Sequence, residues 1–187
     1  VRARVWTGVA GAVLASLLAG RAMADTGTNE LTVSQSFQLR AQVVSGCLLG
    51  TGASDVTTFG TLSFGQFASL PGDVNRVTTA GTGSIVLQCT PGMAVSIALN
   101  TGLNATATVT AGRYLANGSE RLRYQLYQDA AYNTVWGDAT NGGTALSVTF
   151  PSSGVAQTYP VYARLFAVTP MPSAGLYSDT VTVTITY

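Results

Sequence analysis

Glu120, Asp129, Asp138 and Asp179 are the side chains through which this chain could hydrolyse a bond. A glycoside hydrolase needs two carboxyl groups flanking the glycosidic oxygen, one as acid and one as base or nucleophile. Each of the four stands in or beside a turn signal, where a carboxylate ordinarily stays solvated or accepts backbone N–H groups in an Asx turn. Other routes to catalysis lack their residues. Without His there is no Ser–His or Cys–His nucleophile pair, and without Lys no Schiff base or Ser–Lys dyad. A zinc site would have to use carboxylates and the two cysteines, and no Gly-rich phosphate loop is present, so no cofactor is expected. The chain reads as a non-enzyme. Tyr124, Tyr127, Tyr132, Trp136, Tyr159 and Tyr162 could line a carbohydrate platform, although core filling and cross-strand pairing are the commoner use of such residues.

The two cysteines most simply form one disulfide, Cys47–Cys89, as is usual in exported chains. It would close a loop of about 43 residues and stabilise by roughly 4 kcal/mol in the chain-entropy account. Export itself is read from residues 1–24. Arg2 and Arg4 precede an apolar run from Val5 to Ala19, and Ala22-Met23-Ala24 is a small-residue cleavage site, so this stretch is expected to be a cleaved secretory signal. The run is short for a membrane span, and no membrane association is expected after cleavage. Removing Arg2, Arg4 and Arg21 leaves six arginines against eight acidic residues. Six scattered arginines do not make the basic patch that nucleic-acid binding needs.

The elements that must carry these residues all read as strands. The last eleven residues alternate apolar and polar side chains, with Tyr177, Val181, Val183, Ile185 and Tyr187 on the inward face, and no residues follow to pair with them. A strand left open at a sheet edge is either an aggregation hazard or a docking site. A second alternating segment, with Leu31, Val33, Phe37, Leu39, Ala41 and Val43 in phase, follows the signal. Between them come runs near residues 56–59, 61–67, 84–89, 94–100, 113–116, 122–128, 145–150 and 158–168, with Thr90-Pro91-Gly92 and Asn117-Gly118 as turns. Ser119 and Glu120 lengthen the second turn. Short strands punctuated by Gly and Pro predict an all-β antiparallel sandwich.

Several of these segments resemble, in order, the spore coat protein U domain found in subunits of archaic (Csu-type) chaperone–usher pili. Phe59-Gly60-Thr61-Leu62-Ser63-Phe64-Gly65 is similar to the family's FG-x-L-x-FG element. Gly46-Cys47 stands upstream, and Val86-Leu87-Gln88-Cys89-Thr90-Pro91-Gly92 resembles its second-cysteine strand. Leu122-Arg123-Tyr124-Gln125-Leu126-Tyr127-Gln128-Asp129 resembles its tyrosine-bearing strand, followed by Trp136-Gly137-Asp138. Ala174-Gly175-Leu176-Tyr177-Ser178-Asp179-Thr180 opens a C-terminal strand of the family type.

The resemblance implies an incomplete immunoglobulin-like sandwich over residues 45–187 that lacks its final strand. Residues 25–44 would be an N-terminal donor segment, whose boundary with the subunit's own first strand stays open. It implies a periplasmic chaperone, an outer-membrane usher and neighbouring subunits as partners, with the missing strand lent first by the chaperone and then by the next subunit. The donor would present Leu31, Val33, Phe37, Leu39, Ala41 and Val43. The acceptor groove would be lined in part by Tyr177, Val181, Val183, Ile185 and Tyr187. The expected product is a head-to-tail pilus, periplasmic in transit and then on the cell surface, serving attachment and biofilm formation. Tip adhesins of the family resemble two-domain proteins, so a single domain suggests a shaft or adapter subunit. The alternatives are a spore-coat or surface-layer protein of the same family, or a secreted carbohydrate-binding module or glycosidase.

Overall fold

Alternating side chains in runs bounded by glycine and proline produce strands, and a computed structural model of the chain contains ten of them and no helix among the described residues. The structure describes Thr32, residues 34–105 and residues 108–187. The expected signal, Leu31 and Val33 lie outside the described residues. The chain divides into two units, Val1–Ala41 and Gln42–Tyr187. In the described part of the first unit the backbone forms no strand, and Phe37, Leu39 and Ala41 are exposed. Residues 42–46 form no strand either, and Val43 and Val44 are exposed.

Three antiparallel sheets make up the second unit. Strand β1 (Cys47–Leu49) pairs with β3 (Ile85–Cys89), which pairs with β8 (Gln157–Tyr159). Strand β10 (Val183–Thr186) pairs with β4 (Ala94–Leu99), which pairs with β7 (Leu146–Thr149). The third sheet has the order β2 (Val74–Val77), β9 (Tyr162–Leu165), β6 (Glu120–Tyr127), β5 (Arg113–Asn117). Alternation puts Ile85, Leu87, Ile97, Leu99, Leu122, Leu126 and Leu165 into one core shared by the sheets, around the fully buried Trp136. The Trp136 indole N–H donates to the Ile97 carbonyl at 2.9 Å, which satisfies its one polar atom. Cys47 and Cys89 face each other across the β1–β3 ladder and are joined as the expected disulfide.

The described elements depart from the sequence expectation at identifiable points. Residues 56–67 form no strand beyond a single bridge at Gly60, because this stretch folds over the sheets instead of joining one. The run 158–168 is broken at Pro160, which has no N–H to give a ladder, and the chain leaves one sheet at β8 and enters another at β9. Asn117 and Glu120 are paired, so the β5–β6 loop is only Gly118-Ser119 and is shorter than the sequence suggests. Ser178 bridges Ala116 of β5, and five residues later β10 is paired with β4. The C-terminal segment therefore also changes sheets.

A candidate acceptor groove and its anchors

Where residues 179–183 pass from the β5 side to β4, they leave a groove of about 570 Å³. Core side chains form its floor, among them Ile85, Leu99, Tyr124, Leu126 and Val161. One wall is the run Asp179–Val183. The other is Leu49 at the end of β1 together with residues 56–62, which include Phe59, Gly60 and Leu62 of the FG element. Beyond the groove, β10 has β4 on one side and no strand on the other among the described residues. An apolar trough beside a free main-chain edge is the arrangement that takes up an added strand.

The FG element shapes its wall through packing. Phe64 is buried, and Phe59, Leu62 and Phe67 pack against the core. Gly60 has φ +99°, and a Cβ there would overlap the Gly81 carbonyl, so only glycine fits. The Phe59 carbonyl accepts the Gly83 N–H at 2.9 Å and ties the wall to the loop before β3.

The opposite wall is fixed by polar groups. Arg113 is fully buried, and its guanidinium donates to the Asn100 carbonyl at 2.7 Å, the Trp136 carbonyl at 2.8 Å and Gln125 Oε1 at 2.7 Å. Burial lowers its pKa from the ordinary arginine value, against the favourable fields of Tyr124, Asp179 and Asp138. Asn100, held by Arg113, accepts the Thr182 N–H on its side-chain oxygen at 2.9 Å and donates its own N–H to the Thr182 carbonyl at 3.1 Å. The buried Tyr124 hydroxyl donates to Asp179 Oδ2 at 2.6 Å, while the other oxygen accepts from Leu103 N at 2.8 Å and Asn104 Nδ2 at 3.2 Å. Burial, reinforced by this carboxylate, pushes the Tyr124 phenol well above its usual range. Arg113 and Tyr124 thus hold the strand that borders the groove. Neither role was legible in the sequence, where Tyr124 reads as a core or platform residue and Arg113 as one of six scattered arginines.

The sequence-derived groove residues fall at different places. Val181 and Val183 line the groove. Ile185 lies further along β10 and packs against the core, while Tyr187 is exposed at the far end. Tyr177 packs beside the core and donates its hydroxyl to Glu120 at 2.9 Å.

The four candidate catalytic carboxylates are distributed over separate networks. Glu120 accepts Ser173 N at 3.0 Å, Asp129 accepts Thr134 N at 2.7 Å, Asp138 accepts Asn141 N at 2.7 Å, and Asp179 is held as described. The Ser173 N–H and the Tyr177 hydroxyl keep the Glu120 carboxyl below its usual range, and the Thr134 N–H does the same for Asp129. Among the described residues no three His, Cys, Asp or Glu side chains cluster as metal ligands, and no helix is long and apolar enough to cross a membrane. The six aromatics do not form one platform. Trp136 and Tyr124 are core residues and Tyr159 packs against the core, whereas Tyr127, itself buried, and the half-buried Tyr132 and Tyr162 cluster on the other face of their sheet.

A family model for the Spore Coat Protein U domain matches residues 33–184. The chain is 33% identical over 184 residues to Protein U of Myxococcus xanthus, covering 94% of this chain and 97% of that protein. Among solved structures, it is similar to a chain in the CsuC–CsuE chaperone–tip adhesion subunit pre-assembly complex from archaic chaperone-usher Csu pili of Acinetobacter baumannii. The identity is 25% and the TM-score 0.44, with 78% of this chain and 40% of that chain covered. A chain of a chaperone–tip adhesin complex in CFA/I fimbriae biogenesis is similar at 19% identity and TM-score 0.40, with 76% and 41% covered. The chain therefore spans about two fifths of the length of these two solved chains.

Proposed function

The chain belongs to the Spore Coat Protein U domain family, and on that premise we propose that it is a structural subunit of a chaperone–usher pilus that polymerises by donor-strand exchange. The observation that carries this reading is the apolar groove between the FG-element wall and the run Asp179–Val183, continued by the free edge of β10. A periplasmic chaperone fills the groove with a strand of its own. At the outer-membrane usher, the residue 25–44 segment of the next subunit replaces it. Main-chain hydrogen bonds to an edge and alternate apolar side chains in the trough supply affinity and register. Leu31, Val33, Phe37, Leu39, Ala41 and Val43 are the donor side chains. Phe37, Leu39 and Val43 stand exposed, as a donor requires. Residues 1–24 direct export, the subunit passes through the periplasm to the cell surface, and the polymer serves attachment and biofilm formation. Its role is mechanical and not catalytic.

Deleting Thr28–Gln35 is expected to abolish polymers on native electrophoresis while the subunit still pairs with its chaperone. Persistence of polymers would overturn the donor assignment. A second reading, a coat or surface-layer protein of the same family, is favoured by the match along nearly all of Protein U. Chaperone and usher genes beside this one support the pilus, and their absence supports the coat.

A further inference from the structure

The outer face of the β2–β9–β6–β5 sheet carries a cluster of aromatic and arginine side chains. Tyr162 of β9 lies opposite Tyr127 of β6. Tyr132, from the loop after β6, meets both rings edge-on, with centroids 5.4 Å from Tyr127 and 6.2 Å from Tyr162. The Arg164 guanidinium lies 4.6 Å from the Tyr132 centroid, and the Arg123 guanidinium 3.9 Å from that of Phe166. Arg164 is the register partner of Gln125, so Arg164 and Arg123 are diagonal neighbours, a relation that places such residues roughly 7–8 Å apart.

These cations are only lightly neutralised. Asp73 Oδ2 is 4.0 Å from Arg164 Nε, which also donates to Asn75 Oδ1 at 3.0 Å. Among the described residues, Arg123 makes no hydrogen bond through its guanidinium and Arg164 none through its Nη atoms. Guanidinium donors left unused among the described residues, beside aromatic rings, suit a ligand that carries both carboxylates and apolar ring faces.

We propose that this face binds an acidic polysaccharide, with sugar rings against Tyr132 and Tyr162 and sugar carboxylates on Arg123 and Arg164. Planar guanidiniums take carboxylates in pairs of hydrogen bonds, and aromatic faces take the apolar faces of sugars. This surface lies outside the acceptor groove and goes beyond the assembly role.

Affinity electrophoresis of the folded full chain in gels containing polygalacturonate tests it. The protein is expected to be retarded by polygalacturonate and not by neutral dextran. Arg123→Gln and Arg164→Gln should each raise the polymer concentration for half-retardation about tenfold. Arg164→Lys, which keeps the charge but loses the flat stack, should lie between native and Gln. Equal retardation in dextran overturns the proposal. So does unchanged retardation in the double Gln variant with a native unfolding midpoint. Retardation by polyglutamate or DNA as strong as by polygalacturonate overturns it too, since the face would then read charge alone. The native protein decides between these polymers even if a variant misfolds, and subunits lacking Thr28–Gln35 should bind polygalacturonate normally whether or not they polymerise.

Discussion

Gly60 and Tyr124 hold opposite sides of the groove by unlike means, one through the absence of a side chain and the other through a buried hydroxyl. Gly60→Ala must place a Cβ against the Gly81 carbonyl at a φ that L-residues avoid. It is expected to cost roughly 2–4 kcal/mol in urea unfolding, above the ordinary penalty for φ > 0 because the neighbour is backbone. Tyr124 acts through its proton. Burial and Asp179 raise its phenol above the unfolded value, so folding favours the neutral form. The associated stability is complete below the unfolded value, about pH 10, and is lost as pH rises toward the folded value. Native protein should therefore lose stability progressively above about pH 10, and Tyr124→Phe should flatten that decline while costing about 1–2 kcal/mol at neutral pH. Denaturant midpoints measured at pH 8 and pH 11 for the two proteins check both effects. An equally steep alkaline loss in Tyr124→Phe would assign it to another group.

At the scale of elements, the disulfide and the Glu120 network each tie a peripheral segment to the sandwich. Cys47–Cys89 fastens the three-residue β1 to the buried β3. Replacing both cysteines with Ala should cost up to about 4 kcal/mol and first expose the amides of β1 to hydrogen exchange. Glu120 fastens residues 173–177 to the β5–β6 hairpin. Because its carboxyl is depressed, that contribution is present above the ordinary glutamate value of about 4.3 and fades as pH falls through the lower folded value. The Ser173 amide should stay protected at pH 5 and lose protection only in stronger acid, whereas Glu120→Gln should loosen it at every pH. The runs that became β3, β4 and β6 were legible in the sequence as strands, and Val181, Val183 and Ile185 pack toward the core as their alternation predicts. Those that escaped lacked that signal. Strand β2, Val74–Val77, has a short pattern with Arg76 at an inward register position, where the side chain reaches the Phe64 carbonyl. Residues 56–67 have apolar spacing but spend it on packing a groove wall, a tertiary outcome that local propensity does not encode. The Arg113–Asn100–Thr182 chain joins residues far apart in sequence, so no local pattern could announce it.

For the whole molecule, the proposal makes the groove and residues 25–44 two halves of one joint, and the energetics of that joint can be measured apart from any polymer. A ligand that binds only the folded state stabilises by RT ln(1 + [L]/Kd), about 2.7 kcal/mol at a hundredfold excess over Kd. A peptide spanning Thr28–Val44 should therefore raise the unfolding midpoint of a chain lacking its own copy of that segment. Its alternate apolar residues carry the effect, since burying each contributes about 1.5–3 kcal/mol. A peptide with Phe37 and Leu39 both changed to Ser should lose most of the shift. On the acceptor side, Val183→Asp sets a charge in the wall of the groove and should abolish the response to the native peptide, whereas Thr186→Asp, on the exposed side of β10, should preserve it. If the native and Ser-substituted peptides stabilise the chain equally, the trough does not select the apolar face of a strand. The free edge of β10 would then be a surface left open for some other purpose.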